Sequence, residues 1–138
     1  MKLAILVASK MPKQLELEHI LRIGIFLTFI GHGVFALGIK QEWIPFLTAV
    51  GFSQSSAIEI MPFIGLLDIF VAWMALLYPV RIIIIWAFIW ALATAIMRPV
   101  TGYEIWDFVE RGANWALPLA LILKQGFPKS FREWFTFN

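Results

Sequence analysis

The sequence contains no cysteine, and few of its 138 residues are charged. Without cysteine there is no disulfide, thiolate nucleophile, cysteine-ligated zinc or iron–sulfur cluster, so any redox chemistry depends on a bound group or a partner. Charged residues make up 14% of the chain, whereas a soluble domain carries about a quarter. The net charge of +2 provides no basic surface for nucleic acid. These features exclude a disordered chain, a nucleic-acid-binding protein and a secreted disulfide scaffold.

The chain is instead strongly apolar, with 61% hydrophobic and 16% aromatic residues. Four stretches are long enough to cross about 30 Å of hydrocarbon, which takes about 20 helical residues. They cover residues 20–39, 60–78, 81–97 and 105–123. The sequence therefore predicts an all-α fold, a transmembrane four-helix bundle, as one integral membrane domain over residues 1–138.

Two further segments are amphipathic but too short or too polar to cross a membrane. Residues 42–56 carry an apolar face formed by Trp43, Ile44, Phe46, Leu47 and Val50, which predicts an interfacial or re-entrant segment between the first two spans. Residues 127–137 place aromatic side chains beside Lys129 and Arg132. This pattern predicts an amphipathic C-terminal tail that lies on the membrane.

The distribution of lysine and arginine predicts the orientation of the bundle. Four spans put both termini on one side, where eight basic residues collect, against three on the other side. Basic residues favour the cytoplasmic side, so both termini are predicted to be cytoplasmic, in the inner (cytoplasmic) membrane of the cell. The eight residues on the predicted cytoplasmic side are Lys2, Lys10, Lys13, Arg22, Arg81, Lys124, Lys129 and Arg132.

Polar residues inside the spans predict a shared layer in the outer half of the bilayer. His32 lies about 10 Å, and Asp68 about 12 Å, below the outer end of its span. Spacings of three and four residues bring further polar groups of the third and fourth spans to that level. The candidate ligand-binding residues are His32, Asp68, Trp90, Thr94, Arg98, Glu110, Arg111 and Asn114.

Two interpretations of this layer stay open. In the structural one, Arg98 or Arg111 neutralises Asp68 and Glu110 pairs locally, because buried ionisable groups need partners whether or not they act. In the functional one, imidazole, guanidinium and amide groups donate hydrogen bonds to a quinone carbonyl while Asp68 exchanges a proton. No catalytic residue and no metal site is predicted, since the chain lacks a histidine pair at helical spacing and any sulfur ligand.

Small and aromatic residues predict which helix faces are internal. Gly24, Thr28, Gly31 and Gly38 form a seam of small residues on the first span, and the second span carries Gly65, Ala72 and Ala75 around Asp68. These faces are predicted to pack against other helices. Three tryptophans near predicted interfaces are interpreted as membrane-belt or packing residues, namely Trp43, Trp73 and Trp106.

The ordered set of segments resembles the DoxX-like family of small four-helix membrane proteins, within the DoxX, DoxD and MauE group. The matching pieces are FIGHGVFALG, WIPFLTAVGFS, IGLLDIFVAWMALLYPVR and RPVTGYEIWDFVERGANWALPLALIL, within residues 20–123. Asp68 stands at the family's acidic position and Arg81 at its arginine. The resemblance implies an accessory or quinone-side subunit of a membrane oxidoreductase, with no intrinsic cofactor and with a quinone or lipid headgroup as ligand.

Other functions fit the same sequence. A chain with so little extramembrane mass has no room for its own redox centre, which predicts a larger membrane protein complex or a homo-oligomer as partner, within the lipid bilayer. One alternative is therefore a structural subunit that packs against such a complex through its aromatic faces, without ligand chemistry. Another is a small transporter or proton path that depends on Asp68.

Overall fold

The structure is a computed structural model that describes residues 13–137, with side chains from residue 17 onward. Lys2 and Lys10, used in the charge count, lie outside the described residues. Every regular element between residues 13 and 137 is helical, so the all-α prediction is confirmed there. In chain order the elements are α1 (Lys13–Leu37), a 3₁₀ turn (Gln41–Trp43), α2 (Ile44–Ala49), α3 (Gln54–Leu77), α4 (Arg81–Val100), α5 (Ile105–Val109), α6 (Gly112–Gln125) and a tail 3₁₀ helix (Phe131–Phe135).

Three helical segments are long and apolar enough to cross a membrane: Leu17–Leu37, Gln54–Leu77 and Arg81–Val100. In the most apolar 18-residue window of each helix, at most 33% of the residues are buried inside the protein. The other residues leave apolar surface exposed on the outside of the bundle. Such surface is stable against lipid and costly against water. The helices are therefore consistent with a lipid bilayer environment.

The fourth predicted span, residues 105–123, is not one continuous helix in the structure. The structure divides this stretch into α5 and α6, with Glu110 and Arg111 between them. α6 has 14 residues, about 21 Å at 1.5 Å per residue, which is less than the hydrocarbon thickness. The two adjacent charges followed by glycine favour a break, because a glycine disfavours helix and a charged pair disfavours burial.

Two helix boundaries also differ from the predicted ones. α3 begins at Gln54, about two turns before residue 60, because the Ser53 hydroxyl caps it by accepting the Ser56 N–H at 3.1 Å. α4 continues beyond residue 97 and through Pro99 to Val100. The chain then turns at Gly102, whose φ of +92° suits glycine, and the Tyr103 N–H bonds back to the Arg98 carbonyl at 3.0 Å.

α1 and α3 approach most closely where two glycines face each other. A Cβ on Gly65 would lie 2.8 Å from the Gly33 carbonyl oxygen, and one on Gly33 would lie 2.6 Å from Ile69. Contacts this short are not tolerated, so the crossing requires glycine on both helices. The predicted seam on α1 is wrong at Gly31, which has open space around it. The face of α1 that contacts α3 carries Gly33 instead, about 200° around the helix from Gly31.

The bundle has two ends, which are defined here by the chain. At the upper end α1 stops at Leu37 and α4 at Val100, and at the lower end α3 stops at Leu77 and α4 begins at Arg81. α1, α3, α4 and α6 bury one continuous core, and a smaller cluster around Ala36, Ile44, Ala57 and Met61 lies at the upper end. The small residues of α3 and α4 let the helices pack closely in this core. The buried alanines are Ala72, Ala75, Ala87 and Ala91.

Candidate functional site

A cavity of about 200 Å³ lies at the upper end of the bundle, and it is called the upper cavity below. The structure brings six of the eight candidate residues to its wall, from α1, α3, α4 and the break before α6. The side chains of two candidates, Glu110 and Asn114, are not among those that line it. The six that line it are His32, Asp68, Trp90, Thr94, Arg98 and Arg111.

The rest of the wall is apolar, and much of it comes from the segment between α1 and α3. Trp43, Phe46, Leu47 and Val50 reach the cavity from the 3₁₀ turn and α2. Trp43 is therefore a packing residue, one of the two roles predicted for it, because the segment folds back over the bundle and turns its apolar face inward. Trp73 and Trp106, by contrast, are exposed on the surface.

Asp68 is the most deeply buried charged side chain of the cavity, with 2% of its surface exposed. The Trp90 side chain donates a hydrogen bond to the Asp68 carboxylate. Within the described residues, its Oδ1 atom has no hydrogen-bond partner, and the carboxylate forms no ion pair within 4 Å. Neither Arg98 nor Arg111 neutralises it, so this part of the structural interpretation is not observed.

Arg98 is the second buried group without a polar partner. It is 9% exposed, and its Nε atom makes no hydrogen bond to the residues that the structure describes. Its guanidinium lies over the Phe46 ring, 5.4 Å from the centroid, and Phe46 in turn meets Tyr103 edge-on at 5.9 Å. A cation–π contact orients the guanidinium and leaves its N–H groups able to donate.

Arg111 differs from Arg98 because its charge is paired. One of its terminal nitrogens contacts the Glu110 carboxylate and also donates to the Asp107 carbonyl at 3.0 Å. Glu110 is mostly exposed, and it thus pairs locally, as the structural interpretation expects. Asn114 is partly buried on α6.

His32 and Thr94 complete the polar lining. The imidazole of His32 meets Trp43 edge-on, with the ring centroids 5.5 Å apart. The Thr94 hydroxyl donates to the Ala91 carbonyl at 3.1 Å, which leaves its oxygen free to accept a hydrogen bond. Trp90 is stacked on Trp86, with centroids 5.5 Å apart, and Trp86 is partly exposed on the outer face of α4.

The lining suits an organic ligand better than a metal ion. Among the side chains described, from residue 17 to residue 137, no three histidine or acidic groups are close enough to hold a metal. Apolar walls with a few convergent polar groups are typical of small-molecule sites. The upper cavity is therefore the candidate ligand site.

The lower end contains a polar network that the sequence analysis did not identify as such. Arg81, 4% exposed, donates to the carbonyls of Gln125 and Gly126 at 2.8 Å and to the Thr136 hydroxyl at 2.9 Å. Gln125 donates to the Pro79 carbonyl at 2.9 Å. This network joins the start of α4 to the end of α6 and to the tail. The signal in the sequence is a single arginine, Arg81, which stands between the Tyr78-Pro79 turn and a long apolar run.

Two ion pairs connect α1 to the lower end of the bundle. Glu18 accepts from Lys124 at 2.7 Å and lies 3.7 Å from Arg22. Arg22 also donates to the Leu76 carbonyl, with Nε at 2.9 Å. The three charged side chains thereby connect α1 with the ends of α3 and α6.

No protein-family model, curated protein or solved structure matches this chain. Functional argument therefore starts from the upper cavity and its two unpartnered polar atoms.

Proposed function

We propose that this chain is a DoxX-like integral membrane subunit of a redox system, and that its upper cavity binds a quinone or a lipid headgroup. The observation that carries the proposal is the pair of buried, unpartnered polar atoms on the cavity wall, Asp68 Oδ1 and Arg98 Nε. Leaving such groups without partners costs free energy, about 1–3 kcal/mol each, so a site that keeps them is expected to use them.

The chemistry of the lining supports a ligand that carries ring oxygens. Arg98 is a permanent cation with free N–H groups, and His32 offers a ring nitrogen, so both donate to a carbonyl oxygen. Asp68 accepts a proton or a hydrogen bond. Trp43, Phe46 and Trp90 supply flat apolar surface for the body of the ligand.

The cavity volume limits the size of the ligand. Drug-sized ligands occupy pockets of about 300 Å³ or more, and the upper cavity has about 200 Å³. A single substituted ring fits this volume. An attached alkyl or isoprenoid chain then extends outside the cavity, where the apolar helix faces meet lipid.

Four membrane crossings with both termini in the cytoplasm belong to the same proposal. The broken segment of α5 and α6 runs antiparallel to α4 along its whole length, because Arg81 at the start of α4 bonds the carbonyls that end α6. Among described side chains, the upper end carries five acidic residues and the lower end most of the basic ones. This asymmetry favours a cytoplasmic lower end.

Single-cysteine labelling tests this orientation directly, because the natural chain has no cysteine to remove. Ser55→Cys lies in an exposed position at the upper end, and Ser130→Cys lies at the lower end. A membrane-impermeant maleimide added to intact cells is expected to label only Ser55→Cys. Labelling of Ser130→Cys alone would reverse the orientation, and labelling of both would contradict a shared cytoplasmic lower end.

Ligand binding is tested on protein purified in mild detergent, with mass spectrometry of the small molecules that accompany it. We expect a quinone, its reduced form or a lipid at a stoichiometric ratio, and a loss of at least about tenfold in affinity for that copurified molecule in Asp68→Ala and His32→Ala. Glu59→Ala is the matched control, because Glu59 is exposed on the same helix as Asp68 and outside the cavity. Unchanged affinity in both cavity variants, with normal folding, would remove the proposal.

The alternatives give different results in the same preparation. Stable stoichiometric partner subunits without a bound small molecule favour a structural role in a larger membrane protein complex. Ion flux in liposomes that Asp68→Ala abolishes favours a transporter or proton path. Partner subunits together with a bound quinone support the proposed role in a redox complex.

A further inference from the structure

The upper cavity presents one unpartnered acceptor and one unpartnered donor, on different helices. Asp68 Oδ1 is the acceptor on α3, and Arg98 Nε is the donor on α4. Both side chains are more than nine-tenths buried, yet they form no ion pair with each other within 4 Å. Because both residues line the upper cavity, a ligand in that cavity can supply the missing partners.

The chemistry of the two groups defines what the ligand must offer. Arg98 only donates, so it needs a ligand oxygen that accepts. An ionised Asp68 only accepts, so it needs a ligand group that donates. A quinone has two carbonyl oxygens and no donor, so it satisfies Arg98 but leaves Oδ1 of an ionised Asp68 without a partner.

Resting on the proposed function, we infer that the upper cavity selects the dihydroxy form of the ring, a hydroquinone, over the quinone itself. One ring hydroxyl donates to Asp68, and an oxygen of the ring accepts from Arg98. The chain thereby binds the reduced form of the carrier, and its partner in the redox system is one that delivers or consumes a hydroquinone.

No other polar atom that lines the cavity is buried without a partner among the described residues. Arg111 is paired with Glu110, and the Thr94 hydroxyl donates to its own helix. Arg98 is held in position by the Phe46 ring, which is itself apolar and offers no competing acceptor for Nε. Arg98 can donate to an oxygen of either form of the ring, so the selection between the two forms depends on Asp68.

The test uses the full chain in lipid nanodiscs at pH 8 under anaerobic conditions, with empty nanodiscs as the measure of partitioning into lipid. Three probes share one ring and one decyl chain: the hydroquinone, its quinone and its dimethyl ether. The ether keeps the oxygens as acceptors and removes both donors. We expect the dissociation constant of the hydroquinone to be at least about tenfold lower than those of the other two, as for a hydrogen bond to a charged group.

Variants separate the contributions of the two side chains to binding. Asp68→Asn introduces an N–H donor beside the carbonyl acceptor, so the preference for the hydroquinone is expected to disappear. Glu59→Gln, the same type of change at an exposed site on the same helix, is expected to keep it. Arg98→Gln removes the cation that every probe can use, and it is expected to weaken all three by similar factors.

The possible failures are distinguishable. Equal or tighter binding of the quinone in the unmodified protein overturns the inference while the proposed function stands. A preference that survives in Asp68→Asn also overturns it. If none of the three probes binds above the empty-nanodisc level, the quinone-binding function itself fails. The probe series on the unmodified protein gives a decision even if Asp68→Asn does not fold.

Discussion

The two ends of the bundle bury charged side chains in opposite ways. At the lower end Arg81 reaches carbonyl and hydroxyl oxygens of the chain, and Glu18 contacts both Lys124 and Arg22. At the upper end Asp68 Oδ1 and Arg98 Nε lie on a cavity wall without partners among the described residues. At the lower end the polar groups hydrogen-bond to neighbouring helix ends, whereas at the upper end two of them can hydrogen-bond to a ligand.

This difference separates stability from binding within one short chain. A buried charge that is fully hydrogen-bonded is strongly destabilising to remove, whereas an unpaired buried charge often costs nothing to replace. One atom of the lower end departs from the pattern, since Gln125 Oε1 has no partner although its Nε2 does. Matched substitutions at the two ends are therefore expected to differ in their effects on the free energy of unfolding.

Removing the guanidinium at each end gives the largest contrast. Arg81→Met breaks the hydrogen bonds to Gln125, Gly126 and Thr136, and it is expected to lower the free energy of unfolding by about 3 kcal/mol. Arg98→Met removes a cation that has only a ring contact, and it is expected to change that free energy by less than about 1 kcal/mol. Equilibrium unfolding in mixed micelles measures both. Equal losses would contradict the distinction between the ends.

The glycine crossing below the upper cavity gives the next largest effect. Gly65→Ala places a Cβ within 2.8 Å of the Gly33 carbonyl oxygen and the Leu37 nitrogen, and backbone atoms cannot move aside easily. We expect a loss of about 2 kcal/mol in the free energy of unfolding. Gly31→Ala is the control, since a Cβ there meets nothing within 4 Å. A similar loss in both variants would mean that helix packing is not the cause.

Arg22 and Lys40 form a smaller matched pair. Arg22→Met loses the hydrogen bonds to the Leu76 carbonyl at the lower end, with an expected cost of about 1 kcal/mol. Lys40 at the upper end lies over the Phe35 and Trp43 rings at 4.5 and 5.3 Å and is partly exposed. Lys40→Met is expected to cost about 0.5 kcal/mol. Thermal unfolding of the two variants in one detergent ranks them, and the reverse order would count against the comparison.

The smallest effect concerns the exposed tail. Glu133 accepts a hydrogen bond from the Lys129 N–H at 2.8 Å, and this bond holds the pKa of its carboxyl below the ordinary value of 4.5. A lowered pKa stabilises the folded tail above the ordinary value, and this contribution is lost as the pH falls through the folded value. In an NMR titration the Lys129 amide signal is expected to shift with a midpoint below 4.5, and Glu133→Gln is expected to abolish the shift. A midpoint at or above 4.5 would show that the hydrogen bond is absent.

Periodicity and hydropathy were sufficient to predict the three long helices and the grouping of the key polar residues at one end of the bundle. Thr94 and Arg98 reach the same cavity because residues four apart share a helix face, and His32 and Asp68 join them because they lie at a similar distance from the upper ends of their helices. Spacing does not tell whether such groups pair with each other. Whether Asp68 meets an arginine depends on side-chain positions within a few ångströms.

The features that the sequence did not predict depend on contacts between distant segments. Trp43 faces the cavity because the segment after α1 folds back over the bundle, and an apolar face alone suits lipid equally well. The break at Glu110 and Arg111 interrupts a stretch whose average hydropathy suits a span. Gly33 was not included in the seam because a rotation of α1 by about 100° per residue separates it from Gly31.

The most direct test of the account measures stability and binding together in one variant, Asp68→Leu. The account predicts that the free energy of unfolding in mixed micelles stays equal or rises, because a buried carboxylate without an ion pair is replaced by an apolar side chain of the same branched shape. It also predicts that binding of the decyl hydroquinone in nanodiscs falls by at least about tenfold. A variant that unfolds more easily and binds the hydroquinone as tightly as before would contradict the account, since Asp68 would then hold the fold together rather than bind a ligand.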